Sequence, residues 1–269
     1  MPVGGKSTVY FMIADPVDHA KSPGMFNGLF ETENIDAIMV PVSFPVSGFE
    51  TSWSSFEQMK NLRGMIVSVP FKGLAFAHCQ HANPRASRVR AANAVIRQSD
   101  GSLLCDNFDG AGFVEGMKRN RHVMRGKRAL LVGAGGAGAS IAFCLAEEKV
   151  ESLTICDIDG DRASTLARLV AEEFPQCQVT TGAPDPRGHN LVVNATPVGL
   201  KPDDPYPLDV DRLTAEMTVV DIIMQPRETR LLQRAKAIGC AIQFGQEMMD
   251  CQMELLADFL QVRGKVEVE

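Results

Sequence analysis

Short apolar runs alternate with longer amphipathic stretches along the N-terminal part of the chain. Runs of strand length, rich in β-branched or other apolar residues, lie at Thr8–Ile13, Ala37–Val42 and 65–69. Ser22 is predicted as the N-cap of a helix in which Pro23 is the first helical residue, and a second helix is predicted after Pro45. Strands that alternate with helices favour parallel pairing in an α/β sheet.

The alternation continues after a predicted hairpin. Ala94–Arg97 and 103–105 flank the turn residues Ser99, Asp100 and Gly101, and a second α/β unit begins near Asp106. In that unit the predicted strands are Arg128–Val132, 153–157, 178–180, 190–194 and 218–223. The predicted helices are 139–150, 162–173, 228–238 and a last amphipathic helix at 246–262.

The sequence therefore predicts an α/β protein with two lobes and a cleft between them. Residues 1–106 are predicted to form an N-terminal α/β substrate-binding lobe, which the C-terminal helix 246–269 completes. Residues 107–245 are predicted to form a Rossmann-type, doubly wound dinucleotide-binding lobe.

The amino-acid composition argues against several classes of binding partner. The 269 residues include 27 Lys and Arg against 33 Asp and Glu, and a net charge of −6 argues against nucleic acid as a partner. The chain has no uncharged apolar run long enough to predict a membrane span, and no secretory signal is visible, so we expect a cytoplasmic protein. We also expect a monomer or a homodimer. His78, Cys79 and His81 have no further ligand at a suitable spacing, so no metal site is predicted.

A glycine-rich turn follows the strand Arg128–Val132. Its residues are Gly133, Ala134, Gly135, Gly136, Ala137 and Gly138, which contain G-x-G-x-x-G between a strand and a helix. The three spaced glycines serve a tight turn, a close approach to a pyrophosphate and close packing of helix on strand. The helix N-terminus offers backbone N–H groups to the phosphates. The turn therefore predicts dinucleotide binding.

Asp157 ends the next strand, where a carboxylate accepts hydrogen bonds from the adenosine ribose hydroxyls. A 2′-phosphate would be repelled there, and Asp159 and Asp161 add to the repulsion, while Arg162 alone supplies nearby positive charge. This balance predicts NAD as the preferred cofactor, with NADP as the alternative.

Two charged residues carry candidate substrate chemistry. Lys72 follows a predicted strand through Pro70 and Phe71, at the edge where ligands bind in open α/β sheets. Asp109 lies in a turn at the predicted lobe junction. A Lys and an Asp that converge on one hydroxyl can move its proton while a nicotinamide takes the hydride. The sequence leaves open which of the two removes the proton.

Seven segments along the chain form a recognisable series: Asp15-Pro-Val-Asp-His-Ala-Lys-Ser-Pro23, Val69-Pro-Phe-Lys72, Ala91-Ala-Asn-Ala-Val95, Asp106-Asn-Phe-Asp-Gly110, Gly133-Ala-Gly-Gly-Ala-Gly138, Asn194-Ala-Thr-Pro-Val-Gly199 and Asp221-Ile. They occur in the order found in the shikimate dehydrogenase family, which the chain resembles over nearly its whole length. The resemblance implies reduction of 3-dehydroshikimate with a nicotinamide cofactor, and a quinate/shikimate branch of the family uses NAD.

The resemblance also implies residue roles. Lys72 and Asp109 match the catalytic pair of the family. The positions implied to contact a cyclic hydroxy-acid substrate are Ser22, Ser68, Asn93 and Gln252. Besides the glycine loop and Asp157, the positions implied to bind the cofactor are Asn194, Thr196 and Gly245.

Several positions depart from the family pattern. Five polar residues of the family are replaced by apolar ones, at Ala20, Ile66, Ala94, Phe108 and Met224. Ser68 stands for a threonine and keeps the hydroxyl. The NADP-type pattern N-R-T-x-x-R reads Asp157-Ile-Asp-Gly-Asp-Arg162, and Ile158 cannot pair with a 2′-phosphate. We therefore expect a substrate that is less polar than shikimate or differently substituted.

Two other functions stay open on the sequence. A member that has lost turnover would act as a nucleotide- or metabolite-binding sensor, although Lys72 and Asp109 are both retained. A methylenetetrahydrofolate-type dehydrogenase has a related architecture, but the segment from Asp106 to Gly110 and the Ser22-Pro23 element fit the shikimate group better.

Overall fold

The computed structural model describes residues 3–18 and 20–262. These residues form two compact units. Unit 1 contains the chain up to Phe108 and again from Met253, and unit 2 contains Asp109–Gln252. Each unit is a sheet with helices, so the predicted α/β fold is confirmed. Residues 263–269 of the predicted C-terminal helix lie outside the described residues.

Unit 1 opens with three strands that alternate with helices and closes with shorter elements. Its elements are β1 (Thr8–Ile13), α1 (Ser22–Thr32), β2 (Ala37–Val42), α2 (Phe49–Gln58), β3 (Leu62–Val67), α3 (Lys72–His78), β4 (His81–Ala82), α4 (Pro84–Val89), β5 (Ala94–Arg97) and β6 (Leu103–Asp106). The strand order in its sheet is β2-β1-β3-β5-β6-β4.

The unit 1 sheet is mixed rather than wholly parallel. β1 pairs in parallel with β2 and β3, while β5 pairs antiparallel with both β3 and β6. β5 and β6 are the predicted hairpin. One face of this sheet is buried under a core that includes Phe49, Trp53, Phe56, Phe71 and Val95.

The predicted bounds of β3 are wrong at both ends. The strand runs Leu62–Val67 instead of 65–69. It includes Gly64, where a Cβ would lie 2.7 Å from the Val95 carbonyl oxygen and 2.8 Å from Leu260, so only glycine fits this close pairing. It ends before Pro70, which has no N–H to continue a ladder.

The predicted cap of α1 is also wrong. Ser22 is the first residue of the helix, and the N-cap is Lys21. The backbone of Lys21 is helical rather than extended (φ −89°, ψ −23°), and no side chain caps the helix.

Unit 2 contains a doubly wound parallel sheet. Its elements, with the helix that leads back into unit 1, are α5 (Asp109–Arg119), β7 (Arg128–Val132), α6 (Gly136–Glu147), β8 (Ser152–Cys156), α7 (Gly160–Glu173), β9 (Gln178–Thr181), β10 (Leu191–Asn194), β11 (Thr218–Asp221), α8 (Arg230–Ile238), β12 (Ala241–Gln243) and α9 (Gly245–Phe259).

The strand order in this sheet is β12-β11-β10-β7-β8-β9, and the pairs are parallel. The chain moves outward from β7 to β9 and then returns to β10 beside β7. The order therefore reverses between β7 and β10, and ligands of such sheets bind beyond the carboxyl ends of the strands at this point.

Two helices of unit 2 begin earlier than predicted, and each begins at a glycine. α6 begins at Gly136 rather than 139, and α7 begins at Gly160 rather than 162. α5 was not predicted, and Asp109 is its first residue rather than part of a turn. Glycines at 110, 112 and 116 weaken the helical pattern of α5 in the sequence.

Candidate active site

The glycine loop forms the tight turn and the close helix packing that its three spaced glycines led us to predict. Gly133 follows β7 with φ +105°, in the left-handed region. A Cβ on Gly138 would lie 2.0 Å from the Gly133 carbonyl oxygen, so the helix approaches the turn too closely for any side chain. No atom lies within 4 Å of a Cβ on Gly135 or Gly136. The N-terminus of α6 is thus open to a ligand, and its N–H groups suit phosphate.

Asp157 lies beside this loop, directly after β8. Its carboxylate accepts hydrogen bonds from the backbone N–H of Ala134 at 2.7 Å and of Asp159 at 2.9 Å. Arg162 lies 3.8 Å from Asp157 and 3.3 Å from Asp159. Burial raises the pKa of Asp157, but the two hydrogen bonds and the Arg162 guanidinium outweigh it, so the pKa lies below its ordinary value.

A pocket of about 580 Å³ joins the glycine loop to Asp157. Fourteen residues line it: Val132, Gly133, Gly135, Cys156, Asp157, Ile158, Arg162, Gly182, Pro184, Ala195, Thr196, Pro197, Val198 and Pro207. Apolar walls with a few polar groups suit a nucleotide, and the open space at Gly135 suits a pyrophosphate. These residues therefore fit a bound dinucleotide.

Asn194 and Thr196 shape the loop on the opposite side of the switch point. The Asn194 side chain is fully buried, donates to Asp221 at 3.1 Å and to the Val198 carbonyl oxygen at 3.2 Å, and accepts from Thr196 Oγ1 at 2.7 Å. Thr196 Oγ1 in turn accepts from the Val198 N–H at 3.1 Å. The Asn194 amide therefore holds the turn that presents Ala195 and Thr196 to the pocket.

Gly245 begins α9 at the end of the sheet. A Cβ there would lie 2.5 Å from the Ile222 carbonyl oxygen and 2.6 Å from that of Ile223. Only glycine therefore allows α9 to start this close to the segment that follows β11.

Asp109 is buried at the N-terminus of α5. Its carboxylate accepts a hydrogen bond of 2.7 Å from the Gln252 side chain. The next residue, Gly110, donates its N–H to Ser140 Oγ at 2.8 Å, and a Cβ on Gly110 would lie 2.3 Å from the Ser140 carbonyl oxygen. The family resemblance implies a catalytic role for Asp109 and a substrate contact for Gln252, and within unit 2 the two side chains are in direct contact.

The other predicted substrate residues belong to unit 1. Lys72 is the half-buried first residue of α3, and its carbonyl oxygen accepts from the Ala92 N–H at 2.9 Å. Ser68 is half-buried just after β3, and Ser22 is buried at the start of α1. Asn93 is buried before β5, and its side-chain oxygen accepts from the Phe108 N–H at 2.9 Å. Asn93 thus braces the end of unit 1 next to Asp109.

Two of the apolar replacements are neighbours across the sheet. Ile66 of β3 pairs with Ala94 of β5, and Ile66 also pairs with Met12 of β1. All three side chains are buried and share one face of the sheet. They form a continuous apolar row where the family pattern has an asparagine and a threonine.

Phe108 is packed inside unit 1. Its ring lies 5.4 Å from that of Phe259, and the Arg85 guanidinium stacks on it at 4.6 Å. Ala20 and Met224 are both half-buried. Phe108 therefore offers an aromatic face to Arg85 and carries no hydroxyl.

Sequence reasoning missed Arg85 and Asn83. Both side chains bind the fully buried carboxylate of Asp106, Asn83 at 2.9 Å and Arg85 through two nitrogens. Asp106 also accepts from the Asn107 N–H at 2.7 Å. The available signal was Pro84, a frequent first helical residue, which places both side chains at the start of a helix. These contacts anchor the segment that leads to Asp109.

No group of three or more His, Cys, Asp or Glu side chains in residues 3–18 and 20–262 is arranged to hold a metal ion. In the same part of the chain, no helix has both the length and the apolar character needed to cross a membrane.

Comparisons with known proteins agree with this geometry. The family model for the shikimate dehydrogenase substrate-binding domain matches residues 12–95. The shikimate dehydrogenase (NADP(+)) of Rhodospirillum rubrum is 34% identical, over 92% of this chain and 89% of its own.

Solved structures show the same fold. Shikimate 5-dehydrogenase from Listeria monocytogenes, in complex with shikimate and NAD, superposes with a TM-score of 0.87 at 27% identity, covering 97% of this chain and 93% of its own. The 5-ketofructose reductase of Gluconobacter sp. strain CHM43 superposes with a TM-score of 0.86 at 28% identity, covering 97% of this chain and 95% of its own.

The fold and the dinucleotide pocket, with these relatives, define the class of protein as an NAD(P)-dependent oxidoreductase that acts on a CH–OH group. The chain belongs to the shikimate dehydrogenase family.

Proposed function

We propose that the chain catalyses the reversible oxidation of a hydroxyl to a ketone on a cyclic hydroxy acid related to shikimate or quinate. Unit 1 binds the substrate and unit 2 binds the cofactor in this proposal. The match of residues 12–95 to a substrate-binding domain and the dinucleotide pocket of unit 2 support this division.

Lys72 and Asp109 act on the same substrate oxygen in the proposed reaction. When bound in the pocket of unit 2, NAD or NADP would supply the acceptor for a hydride, with its two electrons, from the substrate carbon. The Lys72–Asp109 pair removes the hydroxyl proton in this direction and returns it to the carbonyl oxygen in reduction. Burial of Asp109 at the start of α5 and of Ser22 and Asn93 in unit 1 supports a site shielded from water.

The proposed substrate is less polar than shikimate or differently substituted, and the row of Met12, Ile66 and Ala94 carries this conclusion. A buried ring hydroxyl that meets this row finds no hydrogen-bond partner on it. Each neutral hydrogen bond lost is worth about 0.5–1.5 kcal/mol, so losing two weakens recognition about 5- to 150-fold. Ser22, Ser68 and Asn93 remain as polar contacts for the rest of the ring.

NAD is the proposed preferred cofactor. Asp157 is held ionised beside the pocket, and Ile158 at the pocket wall is fully exposed and carries no charge. Arg162 pairs with Asp157 and Asp159, so these two carboxylates would compete with a 2′-phosphate for its guanidinium. NADP dependence is stated for the Rhodospirillum rubrum relative.

The test is the absorbance change of the nicotinamide with shikimate, quinate and cyclohexane carboxylates that carry one or two hydroxyls. We expect kcat/KM to be highest for a compound with fewer hydroxyls than shikimate. Turnover of shikimate with an efficiency usual for the family would overturn the substrate assignment. Binding without turnover of every compound, with NAD and with NADP, would overturn the oxidoreductase proposal and favour a sensor.

The double variant Ile66→Asn/Ala94→Thr restores the polar pair of the family pattern. We expect it to raise kcat/KM for shikimate about 5- to 150-fold over the wild type, through two regained neutral hydrogen bonds. Leu62→Asn, in a buried residue of the same strand, is the control and gives no such gain.

A further inference from the structure

Helix α9 packs unusually closely on helix α5. A Cβ on Gly112 would lie 2.7 Å from Gln252 Cβ and 2.9 Å from the Met248 carbonyl oxygen. One turn later, a Cβ on Gly116 would lie 3.1 Å from the Glu247 carbonyl oxygen. Gly112 and Gly116 therefore leave a shallow groove on α5, called here the Gly112 seat, into which the backbone of α9 packs.

This seat brings the Gln252 amide to Asp109. Gln252 lies beside Gly112, one turn along α5 from Asp109, and its Nε2 donates to Asp109 Oδ1 at 2.7 Å. Both side chains are almost fully buried, with exposures of 5% for Gln252 and 4% for Asp109. A buried bond from an amide to a carboxylate is stronger than a bond between two neutral groups.

The other side of Asp109 is fixed by α6. The Gly110 N–H donates to Ser140 Oγ, and Gly110 packs against the Ser140 backbone and Cys144 Sγ more tightly than a Cβ would allow. The backbone of Asp109 is thus set by α6, while one oxygen of its carboxylate is set by Gln252.

We propose that Gln252 is a positioning residue, which holds the carboxylate of Asp109 in the orientation needed for proton transfer. This role differs from the substrate contact that the family resemblance implies. It rests on the proposed function, because it requires that Asp109 takes part in the reaction.

The test compares kcat and KM of Gln252→Ala and Gln252→Leu with those of the wild type. Leucine keeps most of the side-chain volume beside Gly112 and removes the amide, so it remains informative if alanine loosens the contact between the helices. We expect kcat to fall about 10- to 100-fold in both variants, with KM changed less than threefold, since hydrogen bonds to charged groups are worth about 1.5–3 kcal/mol.

Gln246→Ala is the matched control. Gln246 lies on the same helix and donates to another carboxylate, Asp250, at 2.7 Å. We expect its loss to leave kcat unchanged. A fall in kcat equal to that of the Gln252 variants would overturn the proposal, because general loosening of α9 would explain both.

A double-mutant cycle separates positioning from substrate contact. If Gln252 acts through Asp109, Gln252→Leu in an Asp109→Asn background lowers kcat no further than Asp109→Asn alone. A higher KM with unchanged kcat, or independent losses in the double variant, would overturn the proposal. Full activity of Asp109→Asn would instead show that the proposed function itself is wrong.

Discussion

Asp221 is a buried carboxylate that fixes several parts of the candidate cofactor site. It accepts from the Asn194 side chain at 3.1 Å, from the Ile223 N–H at 3.1 Å and from Thr229 Oγ1 at 2.7 Å. Thr229 is also the N-cap of α8. Burial raises the pKa of Asp221, against the lowering effect of these hydrogen bonds.

This shift predicts a pH-dependent stability. The folded-state pKa lies above the unfolded value of 3.8, so the protonated carboxyl contributes its full share of the folding stability below pH 3.8. That stability is lost as the pH rises through the folded-state pKa. Asn mimics the protonated form. We therefore expect the free energy of unfolding of Asp221→Asn to rise relative to the wild type as pH increases from below 3.8 to neutrality.

Urea denaturation at a series of pH values measures this difference. Asp185→Asn is a control of opposite sign, because hydrogen bonds from Arg187 hold the pKa of Asp185 below its ordinary value. A difference between Asp221→Asn and the wild type that does not change with pH would contradict the explanation.

The proposed preference for NAD rests on two residues, Asp157 and Ile158. The double variant Asp157→Asn/Ile158→Arg removes a repulsive charge and adds a partner for a 2′-phosphate, while Arg162 is released from Asp157. One hydrogen bond to a charged group is worth about 1.5–3 kcal/mol, so we expect the ratio of kcat/KM for NADP to that for NAD to rise about 10- to 100-fold.

Initial rates at saturating substrate with each cofactor give this ratio. Arg168→Ala, at an exposed residue of α7 outside the pocket lining, is a control that leaves it unchanged. An unchanged ratio in the double variant would mean that another part of the pocket sets cofactor choice.

At the scale of elements, glycine has opposite consequences in two helices. Gly112 of α5 faces the backbone of α9, whereas no atom lies within 4 Å of a Cβ on Gly28 of α1. Alanine is a better helix former than glycine by about 0.5–1 kcal/mol. Its gain at Gly112 is opposed by overpacking, which costs about 1–3 kcal/mol.

We therefore expect Gly28→Ala to stabilise the protein by about 0.5–1 kcal/mol and Gly112→Ala to destabilise it by about 1–2 kcal/mol. The free energy of unfolding in urea measures both. Equal stabilisation by the two substitutions would show that α9 does not rest on the Gly112 seat.

The same contrast explains what the sequence could predict. Elements with uninterrupted apolar patterns, such as Thr8–Ile13 and Arg128–Val132, have the predicted bounds. Helix α5 and the start of β3 could not be predicted, because their glycines are required by neighbours distant in sequence, Gln252 for Gly112 and Val95 for Gly64. Local propensity carries no information about such contacts.

The candidate site divides in the same way. The glycine loop and Asp157 form a local pattern of strand, turn and helix, so the sequence sufficed to place them together. The hydrogen bond between Asp109 and Gln252 joins residues 143 positions apart, and no periodic pattern in the sequence predicts it. Likewise, the apolar row at Ile66 and Ala94 depends on sheet register, which only the structure supplies.

For the whole molecule, the central feature is that the proposed acid–base pair comes from two compact units. Lys72 begins a helix of unit 1, and Asp109 is the first residue of unit 2. Neither unit alone contains both residues. The proposed reaction therefore requires both units of the chain.

Turnover of Lys72→Ala and Asp109→Asn, measured with the best substrate of the panel and NAD, tests this claim most directly. General acid–base catalysis contributes about 100- to 10,000-fold, so we predict losses of kcat in that range for each variant, with the Kd for NAD unchanged. Full activity in both variants would contradict the account.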